Sequence, residues 1–282
     1  MLLVFAVFYT ATAQEYPKGH LIIIGGGERP KPVMQKFIEL AGGTNARIIV
    51  LPMATALAEQ TGARQSAEML GLGASTAGYL NITREQAESD SVAMAIRSAT
   101  GIFFSGGDQS RLTAVLKNTK AERALHELYQ SGGVLGGTSA GAAVMSAVMI
   151  TGDELRPHRD SSFNIIERGN IGTADGFGFV TEAIIDQHFA IRKRYNRLFS
   201  LVAENPRLIG VGIDEETAIH VKPDRTFEVL GERVVVVMDA RDAELNLPPD
   251  TYGMEARGIN IDILRRGARY DLKKGITLEL SR

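Results

Sequence analysis

From His20 to Gly141, short apolar runs alternate with stretches whose apolar residues recur at helical spacing, and this alternation restricts the fold more than any other feature. His20 to Ile24 is an apolar run that ends in Gly25-Gly26-Gly27. After it, Val33, Met34, Phe37, Ile38 and Ala41 recur on one helix face until Gly42-Gly43 stops them. Arg47 to Leu51 reads as a second strand, 62–71 as a short helix, 74–80 as a third strand and Gly101 to Phe104 as a fourth. Helices are expected over 83–99, 108–117 and 121–130, the first opened by a Thr83/Gln86 capping box. Val134-Leu135 then begins another strand. Strands that are apolar throughout belong to a sheet covered on both faces. The pattern therefore predicts an α/β protein with a largely parallel sheet between two layers of helices.

The second half is more mixed. It reads as a strand over 177–186, a helix over 188–201, and closely spaced hydrophobic strands over 208–213, 217–222, 226–230 and 233–238. Strands that close together predict an antiparallel, β-rich C-terminal extension. No repeat, low-complexity tract or linker divides residues 14–282, so they are expected to form one domain. Residues 1–13, MLLVFAVFYTATA, are apolar and end in Ala11-Thr12-Ala13, like the core and cleavage site of a secretory signal. No lysine or arginine precedes the run. The expectation is a secreted or periplasmic product starting at Gln14; without cleavage the location is cytoplasmic. So short a run does not span a bilayer, and no stable membrane insertion is expected.

The absence of cysteine from the 282 residues excludes disulfides, Cys-ligated zinc, iron–sulfur clusters and thiol nucleophiles. Thirty-one basic and 33 acidic residues give a net charge of -2, without the basic excess of a nucleic-acid binder. Gly25 to Pro30 has the place of a phosphate loop but not its pattern, because position 30 is proline and no Gly-Lys-Ser/Thr follows. No cofactor and no metal are expected.

Leu135-Gly-Gly-Thr-Ser-Ala-Gly-Ala-Ala-Val-Met145 reads as strand, sharp turn and helix, with Ser139 at the apex among small residues. This is the logic of a nucleophile elbow: the hydroxyl stands clear of the sheet and backbone N–H groups face it. Gly107 and Ala140 are the natural backbone donors for an oxyanion. A serine nucleophile needs a base. Of His20, His126, His158, His188 and His220, His188 alone follows an apolar strand and precedes a polar helix, as Ser139 does. The orienting acid is left open among Asp214, Glu215 and Glu216, with Asp186 as a competitor that could instead cap a helix or bind a substrate cation. The chain order also differs from that of an α/β-hydrolase, whose acid precedes its histidine. In Ser105-Gly-Gly-Asp-Gln109, Asp108 suits a helix cap and Gln109 is placed to orient a substrate. Arg192, Arg194 and Arg197 follow His188. On a helix, Arg192 would lie one turn beyond it, and a row of guanidinium groups implies a substrate rich in carboxylates.

GGGE at 25–28, FFSGGDQ at 103–109, GGTSAGA at 136–142, DQHFAIRKRYNRL at 186–198 and GIDEETA at 212–218 occur in this order over about 190 residues. Together they resemble the cyanophycinase family of serine peptidases, whose wider family also holds aspartyl dipeptidases. The resemblance implies a three-layer flavodoxin-like fold related to class I glutamine amidotransferases, in a homodimer. It implies Ser139 as nucleophile, His188 as base and Glu215 as acid. It also implies substrate contacts from Gln109, Gln187, Arg192, Arg194 and Arg197, beside which Asp186 is kept as a residue that could bind a substrate cation. The substrate implied is cyanophycin, multi-L-arginyl-poly-L-aspartate, released as β-Asp-Arg dipeptides. Glu216 stands where relatives often carry a smaller or amide side chain, and 150–176 does not match. An aspartyl or isoaspartyl dipeptidase and a non-catalytic binding protein on the same fold are the alternatives.

Overall fold

The computed structural model describes residues 16–156 and 164–280. The apolar run at 1–13 and His158 lie outside the described residues. The first half alternates as expected: β1 (His20–Ile24), α1 (Lys31–Leu40), β2 (Arg47–Leu51), α2 (Ala58–Gly71), β3 (Thr76–Tyr79), α3 (Arg84–Ala87), α4 (Asp90–Ser98), β4 (Gly101–Phe104), α5 (Gln109–Leu116), α6 (Lys120–Gln130) and β5 (Val134–Thr138). After the short α7 (Ala140–Ala143) come β6 (Val148–Glu154), β7 (Ile171–Asp175), β8 (Ala183–Gln187), α8 (Tyr195–Glu204), β9 (Ile209–Ile213), β10 (Thr217–Val221), β11 (Thr226–Gly231) and β12 (Val234–Asp239). The chain closes with β13 (Glu244–Asn246), β14 (Glu255–Arg257), β15 (Asn260–Arg265), β16 (Arg269–Asp271) and β17 (Ile276–Glu279).

The large sheet runs β17-β16-β11-β10-β1-β5-β4-β2-β3. Its half from β1 to β3 is parallel, and its half from β10 to β17 is antiparallel. The parallel strands β4 and β5 are buried along their whole length. α1 and α2 cover one face through Val33, Met34, Phe37, Ile38 and Met69. α4, α5 and α6 cover the other through Ile96, Leu112, Leu116 and Leu125. The helical layers and the added C-terminal strands are those expected.

Several boundaries differ. The expected helix over 83–99 is two. Thr83 makes its reciprocal capping box with Gln86, but Ser89 caps a second start by accepting from Val92 N at 3.3 Å. The strand expected over 177–186 is Ala183–Gln187, and the helix expected from 188 begins at Tyr195. Residues 188–194 form turns with positive φ at His188 (50°) and Lys193 (52°); Arg192 N nevertheless donates to His188 O at 3.2 Å, so Arg192 does lie one turn beyond His188 although the regular helix starts later. Residues 148–175 contain the antiparallel β6–β7 hairpin.

The largest departure is that β8 and β9 do not join the large sheet. They form a separate four-stranded sheet, β15-β12-β9-β8, in which only β8 and β9 are parallel. The chain passes from this sheet to the large one in one short turn, Asp214–Glu216, between β9 and β10.

Candidate active site

β5 leaves the sheet at Thr138, and Ser139 is held at φ 54°, ψ -112°. A side-chain-bearing residue in such a region costs on the order of 1–3 kcal/mol and persists only where its surroundings over-determine it. Ser139 N donates to Ile24 O at 3.0 Å, and Ser139 O accepts from Ala142 N and Ala143 N. Gly141 packs against the neighbouring strand so tightly that a Cβ there would lie 2.2 Å from Phe104 O. The small residues around the serine thus let α7 begin directly against β4, and the reversal carries Oγ out of the sheet.

His188 follows β8 and donates its backbone N–H to Gly25 O at 2.7 Å. Its imidazole lies flat against the glycine loop after β1: a Cβ on Gly26 would lie 2.3 Å from Cε1 and 2.5 Å from Nε2. On Gly27 it would meet Glu215 Cβ at 2.9 Å. The loop is therefore a backbone bed for the imidazole and the carboxylate, with Glu216 N donating to Gly26 O at 3.0 Å.

Across this bed runs a hydrogen-bonded line. Ser139 Oγ is 2.8 Å from His188 Nε2, and His188 Nδ1 is 2.5 Å from Glu215 Oε1. A carboxylate only accepts, so the proton of a neutral ring sits on Nδ1 and Nε2 accepts from the serine hydroxyl. Burial pushes the His188 pKa below its ordinary 6.5, outweighing the hydrogen bond to Glu215, which raises it. Arg192 and Arg194 add to the lowering. The imidazole is accordingly neutral at neutral pH and able to take a proton.

The other acids are occupied. Asp214 Oδ1 accepts from Ile191 N at 3.0 Å, and Glu216 faces Arg233 at 3.6 Å. Asp186 is fully buried, accepts from Arg197 Nε at 2.7 Å, and receives a second bond from Arg197 Nη2. Neither residue of that bidentate pair reaches solvent, since Arg197 is 1% exposed, so neither is open to a substrate in this structure. Arg194 Nη1 donates to Gln187 O at 2.7 Å and to Gln187 Oε1 at 3.0 Å. Burial and the neighbouring Arg197 push its pKa down to about 10. Of the three expected guanidinium groups, Arg192 is the exposed one. Gln109 is buried, and its carboxamide nitrogen donates to Ile150 O at 2.8 Å and Thr151 O at 2.6 Å, fastening the β6–β7 hairpin. Gly107 lies in the turn beside Gly106, whose Cβ, if present, would be 3.4 Å from Ser139 Cβ. Ala140 is the first residue of α7 and needs no intrahelical acceptor for its N–H.

Ser139 and His188 open into a cleft of about 310 Å³. Its cations are Arg29 and Arg64, which the sequence analysis did not single out, and Thr61 and Gln65 complete that wall. The available signal was the spacing of Thr61, Arg64 and Gln65 at i, i+3 and i+4, which puts them on one face of α2.

Residues 21–229 match the model of peptidase family S51, a span that includes Ser139, His188 and Glu215. The chain belongs to peptidase family S51. As an S51 chain it is a serine-type peptidase. It is 33% identical over 272 residues to a cyanophycinase of Geminocystis herdmanii (strain PCC 6308), covering 92% of this chain and 96% of that one. The cyanophycinase of Trichormus variabilis (strain ATCC 29413 / PCC 7937) is 33% identical over 263 residues, covering 90% and 86% respectively. A solved peptidase from an acI-B1 Actinobacterium shares the S51 chain's fold with a TM-score of 0.63 at 23% identity, over 92% of this chain and 98% of that one.

Proposed function

We propose that the protein hydrolyses an amide bond of an Asp-rich peptide through a covalent acyl-enzyme on Ser139, and that its substrate is cyanophycin, released as β-Asp-Arg. The observation that carries the chemistry is the unbroken line from Ser139 Oγ through His188 to Glu215 Oε1. Ser139 Oγ attacks the scissile carbonyl carbon while His188 Nε2 takes the hydroxyl proton. The backbone N–H groups of Gly107 and Ala140 receive the oxyanion. As the C–N bond breaks, His188 returns the proton to the leaving amine. Water then attacks the acyl carbon with His188 as base, and the proton passes back to Ser139 as the acid product leaves. Glu215 keeps the ring in the required tautomer and stabilises the imidazolium in both steps.

The polymer substrate is supported by the cyanophycinases that match over 90% or more of the chain and by the cationic cleft. A second reading, an aspartyl or isoaspartyl dipeptidase, is favoured by the engagement of Arg194 and Arg197 within the protein, which leaves a short arginine-lined surface. Incubation of purified protein with cyanophycin, β-Asp-Arg and α-Asp dipeptides, with products read by mass, separates the two. Dipeptide release from the polymer is expected. Cleavage of free dipeptides with the polymer untouched would move the assignment to the dipeptidase. Ser139→Ala should abolish turnover, and full activity in that variant would refute the mechanism. Export and a homodimer complete the proposal. They are tested by the N-terminal sequence of the secreted product, expected to start at Gln14, and by sedimentation.

A further inference from the structure

The wall of the Ser139 cleft formed by α2 differs in character from the side that carries the hydrogen-bonded line. Thr61, Arg64 and Gln65 share one face of that helix and all line the cleft. Gln65 is only 2% exposed, yet its Oε1 is already taken, accepting from Ser105 Oγ at 2.6 Å. Ser105 is itself fully buried at the end of β4. With the carboxamide oxygen tied, the group that Gln65 can offer to the cleft is its Nε2 donor, which has no acceptor among the described residues. Gln65 lines the cleft, and a ligand oxygen there would give this N–H its acceptor. One position before it, Arg64 is exposed and has no carboxylate partner among the described residues. Arg29, by contrast, is committed to Glu68 and lies over the Phe103 ring at 5.8 Å. It contributes positive potential rather than a free fork.

We infer that Arg64 and Gln65, with the Thr61 hydroxyl beside them, form a subsite for a free carboxylate of an acidic peptide, on the wall of the cleft that α2 provides. The inference rests on the reading of Ser139 as the nucleophile only in making the bound peptide a substrate; the subsite itself is defined by its donors. A planar guanidinium and a carboxamide N–H present donors without an acceptor, the arrangement that suits a carboxylate and rejects the isosteric carboxamide.

The test measures binding rather than turnover. Ser139→Ala protein is titrated calorimetrically with a synthetic β-Asp-Arg tetrapeptide-length segment. The titration is repeated with analogues in which one free carboxylate at a time is replaced by a carboxamide. One replacement should weaken binding about five-fold or more, as expected for a partly exposed charge-assisted contact. Adding Arg64→Ala, at an exposed position that threatens no packing, should erase that acid-to-amide ratio at the same position and leave the other ratios unchanged. Gln65→Glu, close in shape, should reverse the preference there by presenting an acceptor. An unchanged ratio at every position in Arg64→Ala, or no binding of any probe to the Ser139→Ala protein, would overturn the inference. Failure of Ser139 as nucleophile would show separately, as turnover surviving in Ser139→Ala.

Discussion

Gly26 lies in van der Waals contact with the imidazole of His188, so closely that a single added Cβ would stand 2.3 Å from Cε1. Gly26 also sits at φ 116°, where a residue with a side chain is strained. Gly26→Ala should therefore push the imidazole off Nε2–Oγ alignment without removing any group of the Ser139–His188–Glu215 line. A misplacement of about 1 Å costs on the order of a hundred-fold in rate. The expected result is a fall of that size in kcat/KM with far-ultraviolet circular dichroism unchanged. Wild-type kcat/KM in the variant would mean that the ring is not held by this loop.

The pH profile should carry the signature of the buried histidine. Rate requires neutral His188, and burial holds its pKa below 6.5. As pH falls, activity should persist through 6.5 and decline only through the depressed value. Arg192 contributes to the lowering by its charge. Arg192→Ala removes a cation that opposes protonation, so the acidic limb of kcat/KM should move toward higher pH. A shift toward lower pH, or none at low ionic strength, would contradict the placement of Arg192 near the imidazole.

Much of this site was legible from local pattern. The strand, sharp turn and helix around Ser139 follow from small residues after an apolar run, and the same edge logic chose His188 among the histidines. Pattern could not choose among Asp214, Glu215 and Glu216, because three adjacent acids in a turn differ only in where the turn points them. Here Asp214 turns back to Ile191 N and Glu215 meets the imidazole. Nor could periodicity show that β8 and β9 belong to a second sheet. An apolar strand reads the same whichever partner it pairs with. The arginines show the same limit: Arg192, exposed, and Arg197, buried on Asp186, look alike as letters in a basic run.

Asp186 and Arg197 should behave as a structural pair. Both are buried, and their contact is bidentate. Removing one partner of a buried ion pair leaves an uncompensated charge and typically costs about 3–5 kcal/mol. Asp186→Ala should lower the unfolding free energy obtained from urea denaturation by an amount in that range, moving the midpoint to lower urea. An unchanged midpoint with a raised KM would instead assign Asp186 to the substrate.

His20 and His220 set a different pH dependence, far from catalysis in role. They face each other across the β1–β10 pairing, with His220 Nε2 3.0 Å from His20 Nδ1. Burial, the neighbouring His20, Lys222 and Lys36 push the His220 pKa down to about 3, against a small opposing effect of Asp224. The His20 pKa is lowered as well, chiefly by burial and then by Lys222 and Lys36, again opposed by Asp224. Both folded-state values thus lie below the unfolded value of about 6.5. Above that pH neither state binds the protons, and the full stability of the neutral pair is present. Below it the unfolded chain takes up protons that the native pair refuses. Stability is then lost at up to about 1.4 kcal/mol per pH unit through His220, with a smaller loss through the partly exposed His20. The β1–β10 pairing joins the parallel half of the large sheet to its antiparallel half, so the loss falls on the junction between them. Urea denaturation at pH 7, 6 and 5 should show a stability that declines with acid, and His220→Phe should flatten that decline while leaving kcat at pH 7 close to wild type. Equal slopes in the two proteins would show that the pair does not govern acid stability.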